Sequence, residues 1–200
     1  MNLFSFKSGR VILVLFCVSL AFVPYPPIIG MWEAKSVFHT FAPENIWYNT
    51  IIHPRANTAG YEYIAIDLAR IVSAVFGFNF FSIRLLPVVY GFFSLFFFYK
   101  IIRRWCNEES SLLTTVLLAT NGLFLVFQHQ LIIIIAGFMF TLAVCYFYLE
   151  ANSKPKNVIY FGIACAVGAL FYHTTRYVML VFVVIWVFQG IQKTYNTISN

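Results

Sequence analysis

Tyr61-Glu62-Tyr63-Ile64-Ala65-Ile66-Asp67-Leu68-Ala69-Arg70-Ile71-Val72-Ser73-Ala74-Val75-Phe76-Gly77-Phe78-Asn79-Phe80 is the stretch on which the fold turns. Its length approaches the roughly 20 residues that cross a bilayer. Wound at about 100° per residue, however, Glu62, Asp67, Arg70 and Ser73 fall within one arc, with Ile64, Leu68, Ile71 and Val75 mostly outside it. That pattern predicts an amphipathic helix lying in the membrane interface rather than a span. The choice decides the orientation of everything that follows it.

Around this stretch the chain is overwhelmingly apolar. Hydrophobic residues make up 61% of it and aromatics 20%, while charged residues reach only 10%. A soluble domain carries about 25% charged residues, so the polar surface needed to cover a water-soluble globule is missing. The composition predicts an all-α, polytopic membrane protein with about six transmembrane helices. Their expected limits are about 11–27, 84–102, 112–127, 131–149, 158–171 and 176–191. An extracytoplasmic loop, about 28–83, joins the first span to the second and carries interfacial helices. The whole of 1–200 reads as a single transmembrane domain.

Charge supports this count. With residues 61–80 on the surface, Lys7, Arg10, Lys100, Arg103, Arg104, Lys154, Lys156 and Lys193 all fall on the cytoplasmic side, as do both termini. Counting 61–80 as a span would invert the rest and place Lys100, Arg103 and Arg104 outside. The same distribution explains the net charge of +6 without nucleic acid, because the basic residues flank apolar runs instead of clustering on a soluble element. An integral protein of the cytoplasmic (inner) membrane is expected if the source is prokaryotic.

Ser19-Leu20-Ala21 is a tolerable signal-cleavage site, but the further spans favour an uncleaved first helix, ended by Pro24-Tyr25-Pro26-Pro27. Cys17, Cys145 and Cys165 lie in apolar runs and Cys106 in a connector, so no disulfide framework or metal spacing is implied. No Walker loop, Cys-x-x-Cys, His-Glu-x-x-His or Gly-x-Ser-x-Gly is present, which argues against the usual ATPases, zinc proteases and serine hydrolases.

Chemistry is therefore sought where the polar interval meets the membrane. In Gly30-Met31-Trp32-Glu33-Ala34-Lys35 a carboxylate follows the first span closely, where it can take a proton from a hydroxyl or hold a divalent cation. The bland reading of Glu33 is a solvated loop acid. His53-Pro54-Arg55 brings an imidazole and a guanidinium fork suited to phosphate. Arg84 and Arg176 each open a span, where an arginine can simply snorkel; with Tyr172 and His173 they can instead rim a lipid phosphate. Gln128-His129-Gln130 reads as a polar loop between the third and fourth spans.

Taken in order, these parts form a pattern. A first span, the loop acid Glu33, His53-Pro54, an aromatic amphipathic segment, Phe76-Gly77, Ser82-Ile83-Arg84-Leu85-Leu86-Pro87, a span and Arg103-Arg104-Trp105 succeed one another. Later comes Gly168-Ala169-Leu170-Phe171-Tyr172-His173-Thr174-Thr175-Arg176. The series resembles the N-terminal part of the GT-C glycosyltransferases, the group that contains protein O-mannosyltransferases and lipid A aminoarabinose transferases.

The resemblance implies a polyprenyl-phosphate-linked sugar as donor and transfer to an acceptor on the extracytoplasmic face. Glu33, standing where the family usually has Asp, would activate the acceptor, or help bind the divalent cation that some members use. Arg84, Arg176 and Arg55 would face the donor phosphate, and His53, Tyr172, His173 and His129 would line the substrate cavity. His129 occupies a loop where such proteins often carry Ser-Arg. Members usually have considerably more spans, so the resemblance further implies half of an enzyme or a second chain that supplies the missing spans. Two other classes are compatible with the composition. One is a non-catalytic protein that keeps the fold for lipid binding, flipping or assembly. The other is a small-solute transporter, which fits less well because the charges here sit at span ends rather than at mid-membrane.

Overall fold

The computed structural model describes residues 6–22, 63–77, 80–129, 133–151, 156–171 and 173–198. Glu33, His53, Arg55 and Tyr172 lie outside the described residues. The described residues form eight helices and no strand: α1 (Phe6–Phe22), α2 (Tyr63–Phe76), α3 (Phe80–Ile102), α4 (Glu108–Ala119), α5 (Gly122–His129), α6 (Ile133–Ala151), α7 (Asn157–Phe171) and α8 (His173–Ile198). The all-helical expectation holds for them.

α3 is the hub, packed against α1, α2, α4, α5 and α6. Its inward residues follow helical spacing: Arg84, Val88, Gly91, Leu95 and Tyr99 are all buried, and Pro87 and Ser94 widen the stripe. In α4 the stripe is made of small residues, Ser111, Thr115 and Ala119. Such residues let two backbones approach closely. The Ser111 hydroxyl donates to the Asn107 carbonyl and that of Thr115 to the Ser111 carbonyl, each at 2.7 Å, so neither is left bare in an apolar setting. α7 turns Phe161, Ala164, Gly168 and Phe171 inward. Gly168 faces Phe140 of α6 and Met179 of α8, and a Cβ there would overlap both side chains. Glycine thus sets the distance at which α6, α7 and α8 meet.

Polar contacts fix the direction of the bundle. Arg104, just past α3, pairs with Glu150 near the end of α6 and donates to the Leu149 carbonyl at 3.1 Å. Asn157, which begins α7, donates to the same carboxylate at 3.4 Å. Nearby, the Tyr148 hydroxyl donates to Gln189 of α8 at 2.9 Å. The C-terminal ends of α3 and α6 and the start of α7 therefore share one end. The N-terminal turns of α3, α6 and α8 and the last turn of α7 share the other, the Arg84 end.

One expectation is refined, and another is supported only in its coarser form. The third span, expected as one run over 112–127, is two helices that meet at 66°. The sequence at the joint explains why. Thr120 closes α4, and the Asn121 side chain accepts from the backbone N–H of Leu123 at 3.0 Å and of Phe124 at 3.3 Å, starting α5 afresh. The six-span count is also coarser in the structure. Arg84–Ile102 and Ile134–Ala151 are long and apolar enough to cross a membrane, a bent α4–α5 pair would make a third, and 157–171 and 175–191 are shorter apolar helices.

Within 61–80, Tyr63–Phe76 forms a helix, α2, followed by Gly77 at a φ of 78°. That left-handed conformation suits a residue without Cβ. α2 packs against α3, and the Ser73 hydroxyl donates to that of Ser82 at 3.3 Å, both buried. The polar arc therefore turns Ser73 toward the protein and leaves Ile71, Val75 and Phe76 exposed. Amphipathicity was legible; which side faces protein was not. On α8, every described residue from 183 to 191 is exposed, among them Val184, Trp186, Phe188 and Ile191. An apolar surface of this extent is the surface of an integral membrane protein.

Candidate functional site at the Arg84 end

The Arg84 end gathers polar side chains within an otherwise apolar bundle. Arg84 stands in the second turn of α3 and has 0% exposure. A guanidinium near a helix end can normally extend to water along its aliphatic stem; here it is held inside, where an ionised group is costly unless it is used or paired. Ser82, two residues earlier on α3, and Ser73 of α2 are buried as well and are bonded to each other. Pro87, three residues on, provides no N–H for the Ile83 carbonyl, which loosens the hydrogen-bond ladder of this same turn.

Arg176 behaves differently. It is exposed in the first turn of α8, and its Nε donates to the Ala169 carbonyl at 2.7 Å. A cation bonded to a carbonyl in the last turn of α7 complements that helix's negative end. The two arginines, expected to act alike, stand at the same end in opposite environments.

Sequence reading missed three other residues. Gln128, expected in a loop, lies within α5 with 1% of its surface exposed. It is seated on Gly91 of α3, where a Cβ would come within 2.6 Å of the Gln128 Cγ. Thr175, expected in a short link, belongs to α8 and is also 1% exposed. The Tyr90 ring meets Phe171 edge-on at 6.0 Å and packs near Ala136. Nothing in periodicity distinguishes these residues, because Gln128 and Thr175 look like ordinary polar punctuation between apolar runs. His129 ends α5 and His173 begins α8, so both stand at this end of the fold.

Among the described residues, no group of three His, Cys, Asp or Glu side chains comes together in a way that could hold a metal. Glu33, the residue to which a divalent cation was assigned, lies outside them.

An apolar helical bundle with extensive apolar surface and a buried cation at one end is the make-up of an integral membrane protein. The sequence model of the dolichyl-phosphate-mannose-protein mannosyltransferases matches residues 65–198, from within α2 to the end of α8. That is about two-thirds of the chain, and the protein belongs to this family of membrane glycosyltransferases. Neither a curated protein nor a solved structure matches it.

Proposed function

We propose that the protein transfers a sugar from a polyprenyl-phosphate donor to an acceptor on the extracytoplasmic face of the membrane, alone or together with a second chain that supplies further spans. The observation that carries this reading is the complete burial of Arg84. A glycosyl phosphate bonded to a lipid has to present its charge at the edge of the hydrocarbon, and a guanidinium fork already withdrawn from water matches two phosphate oxygens. Little reorganisation is then needed as negative charge grows on the leaving phosphate. Arg176 and Arg55 are the further cations assigned to that phosphate, and His53, His129, Tyr172 and His173 the further cavity residues.

In the reaction, the acceptor oxygen or nitrogen bonds to the anomeric carbon while the bond from that carbon to the phosphate oxygen breaks. Glu33 takes the acceptor's proton, and polyprenyl phosphate departs with the bonding pair. The sugar arrives already activated on its lipid, which accounts for the lack of a nucleotide-binding motif. In this topology both termini and the Arg104 end are cytoplasmic, and the membrane is the inner one if the source is prokaryotic.

The test uses the full chain in lipid nanodiscs with radiolabelled mannosyl-phosphoryl polyprenol, followed by label incorporation in membranes that express it. Arg84→Lys, which keeps the charge but loses the fork, should weaken donor binding about tenfold or more. Glu33→Gln should abolish transfer while leaving donor binding and membrane abundance unchanged. Transfer that persists in Glu33→Gln removes the base from this scheme, and wild-type protein that binds no donor removes the scheme itself.

A further inference from the structure

At the end of the bundle opposite Arg84, cations gather above a shelf of aromatic rings. The apolar stretches Arg84–Ile102 of α3 and Ile134–Ala151 of α6 both finish here, at the level where a spanning chain passes from hydrocarbon to headgroups. Arg104 and Glu150 pair across this corner, and Asn157 of α7 donates to the same carboxylate. The acid is thereby enclosed by donors, its side chain only 16% exposed. Arg103 is exposed, and its guanidinium donates to the Cys106 carbonyl at 3.0 Å; Lys156 is exposed at the entry to α7. Among the described residues neither of these two cations meets a carboxylate. Glu108 and Glu109, the other acids at this end, open α4, which packs with α1, and they complement that helix's own N-terminus. Positive charge around Glu150 is therefore in excess, with Lys100, Arg103, Arg104 and Lys156 set against one carboxylate.

Beneath the cations, touching rings connect the three helices. The Lys100 ammonium stands 5.8 Å from the centre of the Phe96 ring. Phe96 lies 5.3 Å from Phe97, Phe97 5.8 Å from Phe147 of α6, and Phe147 stacks on Tyr160 of α7 at 5.7 Å. Counted from Lys156, Tyr160 and Ile163 stand at i+4 and i+7, one stripe of α7, and all three are exposed. A cation, an interfacial tyrosine and an aliphatic side chain thus descend in order from headgroup level into hydrocarbon. We infer that this corner binds an anionic phospholipid, with its phosphate at Lys156 beside the Arg104–Glu150 pair and an acyl chain along Tyr160 and Ile163. Arg103 adds attraction without having to touch the lipid. A soluble anion would use the charges and gain nothing from the apolar stripe. A zwitterionic phospholipid would use the stripe, but its own ammonium offsets its phosphate. An anionic phospholipid uses both. The inference does not depend on the donor reading, which concerns the other end. In the topology proposed above the lipid belongs to the cytoplasmic leaflet, where anionic headgroups attract basic segments.

The decisive comparison is between two lipids that differ only in the headgroup. Affinities of phosphatidylglycerol and of phosphatidylcholine with identical acyl chains are measured by native mass spectrometry on the full chain. Wild-type protein should hold phosphatidylglycerol about tenfold or more the tighter, since each basic residue near a headgroup contributes about fivefold. Lys156→Gln should lose about fivefold for phosphatidylglycerol and nothing for phosphatidylcholine, and Lys156→Arg should stay near wild type. Because Lys156 is exposed, neither change should move the unfolding midpoint in lipid-free detergent. Glycerol phosphate at millimolar concentration, which has the charge without the chains, should not displace the bound lipid. Equal affinities for the two lipids, or a preference that Lys156→Gln leaves undiminished, would overturn the site. Displacement by glycerol phosphate would overturn it as well, by assigning the cations to a soluble anion.

Discussion

Arg84 and Arg176 show how one residue type at matching sequence positions can acquire two roles. Each follows a polar connector and opens an apolar run, so composition and spacing treat them alike. Packing separates them: α3 is surrounded by neighbours and encloses Arg84, while the outer side of α8 leaves Arg176 exposed with its Nε on the Ala169 carbonyl. Their removal should therefore have unequal effects on stability. Arg176→Ala loses one cap contact at a helix end, a change of about 0.5–1 kcal/mol. Arg84→Ala empties a buried site and deprives its surroundings of a charge, which should cost about 3 kcal/mol or more. Thermal unfolding of both variants in one detergent measures the difference, and equal shifts would contradict the burial described here.

At the scale of elements, the joint between α4 and α5 is the clearest case of local sequence dictating architecture. Thr120-Asn121-Gly122 stops one helix and starts the next, with the Asn121 side chain satisfying two N–H groups at the new N-terminus. Asn121→Ala should destabilise the protein by about 1 kcal/mol, read as a lower unfolding midpoint in detergent, whereas Asn121→Asp or Asn121→Ser should hold it near wild type. The same signal was present in the sequence, but the apolar run across it read more strongly as one span. Much else at this scale was legible: the long apolar helix that ends at Ile102 and the helix within 61–80. The facing of that helix was not, because a polar arc identifies a distinct face without naming its neighbour, and Ser73 proved to face α3 rather than water. The site divides similarly. The sequence marked Arg84, but burial and snorkelling leave the same trace in it, and the burial of Gln128 and Thr175 emerges only when the helices pack.

The whole molecule has two unlike ends, and its orientation in the membrane decides what each can do. At one end Arg104, Glu150 and Asn157 tie α3, α6 and α7 together beside Lys100 and Arg103. At the other, Arg84 lies inside the bundle. In the proposed topology the positive charge of the first end lies in the cytoplasm, and the second end faces the extracytoplasmic side. A native thiol can test this. Cys106 is exposed in the connector just past α3, whereas Cys17, Cys145 and Cys165 all lie within apolar helices. A membrane-impermeant maleimide needs an aqueous thiolate, so it should modify Cys106 in inside-out vesicles and spare it in sealed right-side-out vesicles. Cys106→Ser should abolish that labelling. Labelling from the right-side-out face would reverse the topology and bring Arg84 to the cytoplasmic side. A donor phosphate presented on the extracytoplasmic leaflet could not then reach it, and the direction of transfer proposed here would fail even though the fold and its family membership stand.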